Sequence, residues 1–136
     1  MICNELYDTL RRDLFVVLLG SNRTSHRLAA SLFRRFGTVS VIADRHRGLR
    51  DLLNPATVFL SLPASCDPRL CAELLLDTVG SDRDLFPLLV PCTEEYQAMA
   101  QKTETLLESR YILCRADSLL TAAPLSELMS QGGLVG

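Results

Sequence analysis

Leu14-Phe15-Val16-Val17-Leu18-Leu19 is an unbroken apolar run stopped by Gly20, and Ser21-Asn22-Arg23-Thr24-Ser25 follows at once. A run this short cannot cross a membrane, which takes roughly 20 apolar residues in a helix. It reads instead as a strand buried on both faces, the kind that fills the centre of a parallel sheet. The polar cluster after it supplies helix-capping side chains. Leu28, Ala29, Leu32, Phe33 and Phe36 then recur at helical spacing until Gly37 closes the pattern. Strand, glycine turn and helix in that order predict one βα unit.

The alternation continues along the chain. Thr38 to Asp44 is β-branched and ends in an acid, and the loop Arg45-His46-Arg47-Gly48 leads to a short helical turn over Leu49 to Leu53. Val58 to Leu62 is a third strand, bounded by Pro63. Asp67 before Pro68 is a helix start, with Leu70, Cys71, Leu74, Leu75 and Thr78 expected on its inner face and Gly80 at its end. Leu88-Leu89-Val90 reads as a short strand that Pro87 and Pro91 restrict to few ladder bonds. Thr93, with Glu94 and Glu95 in the first turn, opens a helix whose inner face is expected at Tyr96, Met99, Ala100, Thr103, Leu106 and Leu107. Tyr111 to Cys114 is the fifth strand.

Strands alternating with helices over short connections imply right-handed crossovers. The expected fold is a three-layer α/β/α sandwich around a mostly parallel, Rossmann-like sheet of about five strands. It occupies residues 14–122. Ile2, Leu6 and Leu10 place an amino-terminal helix over 1–13, and 123–136 reads as a truncated or flexible carboxyl-terminal segment.

Charge is distributed unevenly. Seven arginines stand against one acid, Asp44, between residues 21 and 50, although the whole chain carries a formal charge of −2. Such a basic stretch attracts phosphate or carboxylate ligands. Nucleic acid is not expected as a partner, because no aromatic platform is interleaved with the arginines. The five cysteines form no C-x-x-C pair and only two histidines accompany them, so neither a disulfide framework nor a zinc site is expected. His46 reads as a solvated loop residue and His26 as a helix-surface residue. With no basic-then-apolar leader in the first residues, a cytoplasmic location is expected, without membrane contact.

In a parallel sheet of this kind, ligands bind beyond the carboxyl ends of the strands, where the strand order reverses. Gly20 to Ser25, Asp44 to Arg47 and Leu62 to Cys66 are expected to converge there. Gly20, Ser21, Asn22 and Arg23 are the candidate anion-binding residues, because free amides at a helix start and a guanidinium favour a negative group. Asp44 and Arg45 are second choices. Asp44 also stands where an acid that binds a nucleotide ribose belongs, which keeps a stand-alone nucleotide- or NAD(P)-binding module as the alternative function. The second and third glycines of that fingerprint are absent, and no Gly-Lys-Ser/Thr occurs. No residue is marked out as catalytic or as a metal ligand.

Val16 to Asn22, the strand end Val41-Ile42-Ala43-Asp44, and above all Leu85-Phe86-Pro87-Leu88-Leu89-Val90-Pro91-Cys92-Thr93-Glu94-Glu95-Tyr96 resemble the amino-terminal pre-ATP-grasp domain of ATP-grasp carboxylate–amine ligases. D-aspartate ligase-like enzymes are among the relatives, and more remotely biotin carboxylase and the carbamoyl-phosphate synthetase large chain. Tyr111 to Cys114 matches the strand that leads toward the ATP-grasp portion. The resemblance covers about residues 14 to 120. It implies a non-catalytic domain that forms one wall of a substrate cleft, inactive as an isolated chain. ATP and magnesium would belong to the parent ligase and no cofactor to this chain. The implied partners are the ATP-grasp domain of the same parent and an anionic small-molecule substrate, and a homodimer is compatible with the reading.

Overall fold

The computed structural model describes residues 14–63, 67–80 and 85–116. Five strands form one sheet: β1 (Leu14–Leu19), β2 (Ser40–Asp44), β3 (Thr57–Ser61), β4 (Phe86–Pro91) and β5 (Ile112–Leu113). Their order is β3-β2-β1-β4-β5 and every pairing is parallel. Between them run α1 (Arg23–Phe36), α2 (Leu49–Leu53), α3 (Pro68–Val79), α4 (Glu94–Lys102) and α5 (Glu104–Leu107). The Rossmann-like sandwich expected from the alternation of patterns is the fold observed. The amino-terminal helix expected over 1–13 and the segment 123–136 lie outside the described residues, as does the part of the Leu62 to Cys66 segment at 64–66.

Alternation along the central strands divides the core in two. Val16, Leu18, Ile42, Leu88 and Val90 turn toward Leu28, Ala29, Leu32 and Phe36 of α1. Val17, Leu19, Ala43 and Leu89 turn toward Cys71, Ala72, Leu75 and Val79 of α3 and Tyr96, Met99 and Ala100 of α4. Val16 through Leu19 are all completely buried, which is why the run could be apolar without interruption. Each such side chain contributes roughly 1.5–3 kcal/mol.

Three expectations about inner faces are corrected. Phe33, Leu70 and Leu106 are exposed, at 43%, 47% and 38%. In α3 the buried stripe is instead Cys71, Ala72, Leu75 and Val79. The helix expected to run through Thr103 breaks there: Thr103 leaves helical geometry and a separate turn, α5, begins at Glu104.

β4 is longer than its prolines suggest, pairing with β1 from Phe86 opposite Leu14 to Pro91 opposite Leu19. The reason is parity. The Cys92 amide donates to the Leu19 carbonyl and the Cys114 amide to the Leu89 carbonyl, so even-numbered residues of β4 face β1 and odd-numbered ones face β5. Pro87 and Pro91 therefore turn their missing N–H toward β5, which pairs only at Leu88 and Leu89. Neither proline costs a bond to β1, and the few ladder bonds expected of a strand with two prolines are found on the β5 side.

Candidate functional site

The carboxyl ends of β1, β2 and β4 meet around Gly20. Asn22 caps α1: its Oδ1 accepts from the Ser25 amide at 2.9 Å, and Ser25 Oγ accepts from the Asn22 amide at 2.9 Å. The reciprocal pair satisfies two donors at the helix start. Asn22 Nδ2 reaches across to the Cys92 carbonyl at 2.9 Å, closing the crevice between β1 and β4 where the strand order reverses. Gly20 has φ +102°, and a Cβ there would lie 2.8 Å from Thr93 Cγ2 and 3.3 Å from the Tyr96 ring. The glycine is needed for the first turn of α4, which packs directly on it.

Asp44 is the hub of this edge. One carboxylate oxygen accepts from the Ser21 amide at 2.8 Å, and the other from the Arg45 amide at 2.7 Å and the Tyr96 hydroxyl at 2.9 Å. Burial, followed by the negative charge of Asp44, pushes the Tyr96 phenol up to about 12, so it stays a proton donor. Arg45 extends from the same strand end to an ion pair with Glu95.

A second cluster lies beneath Ser21. Ser21 Oγ donates to Asp51 Oδ1 at 2.6 Å, His26 Nε2 donates to the same oxygen at 3.0 Å, and the Gly48 amide donates to Asp51 Oδ2 at 2.8 Å. His26 Nδ1 accepts from Asn54 Nδ2 at 2.8 Å, with the Asn54 amide oriented by the Ala56 N–H on its Oδ1. Those partners assign the neutral Nε2–H tautomer. The Asp51 carboxyl is held below its usual value of 3.8: burial opposes ionisation, but the bonds from Ser21, Gly48 and His26 outweigh it. Serine, histidine and aspartate here do not make a nucleophile relay. A relay needs the two imidazole nitrogens to face serine and aspartate separately, whereas Ser21 and His26 both donate to one oxygen. His26, expected on the helix surface, is buried at 7% exposure because it holds α2 to α1.

Of the residues the sequence singles out, Gly20, Ser21 and Asn22 are brought together with Asp44 and Arg45. Ser21 and Asn22 direct their donors at Asp44, Asp51 and the Cys92 carbonyl. Arg23 is exposed at the start of α1. The Asp44 to Arg45 segment meets Gly20 as expected, and Leu62 joins through its amide to the Asp44 carbonyl at 2.9 Å. Thr93, Tyr96, Asp51, His26 and Asn54 are the contributors that sequence reasoning missed. The capped start at Thr93 was visible, but nothing in the spacing shows that the third residue after it reaches β2.

Beside this hub, between α3 and α4, is a cavity of about 220 Å³. Pro68, Cys71 and Met99 give it an apolar floor and the Tyr96 ring one wall, while Arg45, Glu95 and Lys102 bring both signs of charge. A small apolar space with a few convergent charges is the ordinary form of a ligand site. Among the described residues no group of three His, Cys, Asp and Glu side chains gathers as a metal site, and no helix is long and apolar enough to cross a membrane.

Compared with protein-family models, with curated proteins and with solved structures, the chain shows no match.

Proposed function

We propose that the chain is a non-catalytic binding domain on the substrate side of an ATP-grasp carboxylate–amine ligase, forming one wall of the substrate cleft. The observation that carries this reading is the cavity at the carboxyl edge of the sheet, where Arg45, Glu95 and Lys102 stand around an apolar floor. Lys102 favours a carboxylate, the Arg45–Glu95 ion pair brings both signs of charge to the same rim, and the floor suits a short aliphatic body. A small amino acid or other carboxylate has that combination. Two of the segments that carry the family resemblance, Val16 to Asn22 and Leu85 to Tyr96, also pack against each other beside it, which supports the same reading.

The domain's own contribution is to bind and orient. Tyr96 holds Asp44, Asp44 holds the Ser21 and Arg45 amides, and Arg45 is thereby fixed at the cavity. ATP and magnesium are assigned to the ATP-grasp part of the parent, which supplies the acyl-phosphate chemistry. A cytoplasmic setting belongs to the proposal and suits the free thiols Cys71, Cys92 and Cys114.

The alternative, a stand-alone nucleotide- or NAD(P)-binding module, has less support. The Rossmann-like strand order favours it, but Thr93 and Tyr96 cover Gly20 where a pyrophosphate would approach. Asp44 already accepts three hydrogen bonds where a ribose would need it.

Calorimetry with a panel of amino acids and dicarboxylates tests the reading. Binding by the chain that falls at least tenfold in Lys102→Ala, with unchanged circular dichroism, is expected. Micromolar binding of NADH or NADPH, or phosphate release from magnesium-ATP by the chain alone, would replace it with the alternative or with an enzyme.

A further inference from the structure

Among the described residues β3 is an edge strand, and its outer side carries the chemistry of a self-pairing surface. The Ser40 amide donates to the Ala56 carbonyl and the Leu62 amide to the Asp44 carbonyl, so even-numbered residues of this strand face β2. By the alternation of a parallel ladder, the amides of Phe59 and Ser61 and the carbonyls of Thr57, Phe59 and Ser61 face outward. Edge strands are ordinarily guarded by a charge, a proline or a bulge. Residues 57–61, Thr-Val-Phe-Leu-Ser, have none of these, and the sequence is uncharged throughout 52–66 in a chain that is 22% charged. The other edge among the described residues, β5, is the two-residue strand Ile112–Leu113.

We propose that β3 pairs antiparallel with β3 of a second copy of this chain, joining two sheets into one across a two-fold axis at Phe59. The register follows from which groups face outward. Phe59 lies opposite Phe59 of the second copy in a reciprocal hydrogen-bonded pair, and each Ser61 amide donates to Thr57 of the other copy. The strand is chemically palindromic about that point: hydroxyl meets hydroxyl at Thr57 and Ser61, and aliphatic meets aliphatic at Val58 and Leu60. An isologous contact requires this self-complementarity, and an unrelated partner strand does not explain it.

Exposed apolar side chains stand on both sheet faces at this edge. Val58 is 55% exposed on the α3 side. Across the sheet Leu52 of α2 is 57% exposed. Pairing covers Val58, and the Arg47 guanidinium, 5.9 Å from the centre of the Phe59 ring, lies beside the seam.

Sedimentation equilibrium from about 1 to about 100 µM, with amide hydrogen exchange on the same samples, tests the proposal. A species of twice the chain's 15.1 kDa is expected, with the Phe59 and Ser61 amides gaining protection as the dimer fills. Val58→Lys places a charge beside the axis, and Ser61→Pro removes an outward donor while leaving the β2 ladder intact. Either variant should be monomeric with an unchanged far-ultraviolet spectrum, so loss of folding in one leaves the other to decide. A monomer at every concentration would overturn the proposal. So would a dimer whose Phe59 and Ser61 amides exchange freely, or protection of those amides that does not depend on concentration.

Discussion

The Tyr96 hydroxyl donates a 2.9 Å hydrogen bond to Asp44 Oδ1, joining residues 52 positions apart. Because β1 lies between β2 and β4, this bond passes over the end of β1, and the residue beneath it is Gly20. The strand end, the glycine and the helix start form one mechanical unit, and the arrangement sets the expected effects of substitution there.

Gly20→Ala should destabilise the fold by about 2–4 kcal/mol, combining the left-handed backbone with overpacking against Thr93. Chemical denaturation measures it. Thr93→Ser removes the methyl that clashes and keeps the helix cap, so the double variant should recover about 1 kcal/mol of the loss.

Tyr96→Phe removes a hydrogen bond to a carboxylate and should cost about 1–2 kcal/mol near neutral pH. The phenol titrates at about 12 in the folded chain against a usual value of 10.0. A raised value means the native state holds the proton more tightly, so its contribution is complete below pH 10 and is lost as pH rises toward 12. The stability of Tyr96→Phe should therefore fall less steeply across that window. Some slope remains, since burial also raises Tyr111.

The acid limb has the opposite sign. Asp51 titrates below 3.8 in the folded chain, so its contribution is present above that value and is lost as pH falls through it and below. Asp51→Asn should flatten stability against pH in the acid range. Near neutral pH it should cost about 2–4 kcal/mol, because Ser21, His26 and the Gly48 amide lose a charged acceptor.

Leu18→Ala should lower stability by about 2–5 kcal/mol, since Leu18 is completely buried in the central strand against α1. An unchanged denaturation midpoint would mean that β1 is not central.

The sheet was legible because its signals are local. Leu14 to Leu19 has the bounds of β1, Gly37 ends α1 in a left-handed conformation, and Asp67-Pro68 starts α3. The length of β4 was not legible, because whether Pro87 and Pro91 cost ladder bonds depends on which neighbour their nitrogens face. At the site, the convergence of Gly20 with Asp44 followed from strand order alone. Asp51 was hidden for a different reason: an acid in a short helix beside Arg50 resembles a surface residue until α2 is folded onto α1. His26 likewise resembles a helix-surface residue until that contact forms, and the pair is buried only together.

The most direct test of the binding-domain account is a ¹⁵N–¹H chemical-shift titration of the chain with a small amino acid or dicarboxylate, and separately with NADH. The account predicts saturable shifts at Arg45, Cys71, Glu95, Met99 and Lys102 with the first and none with NADH. Shifts confined to Gly20 through Thr24 on adding NADH, with the cavity residues silent, would contradict it.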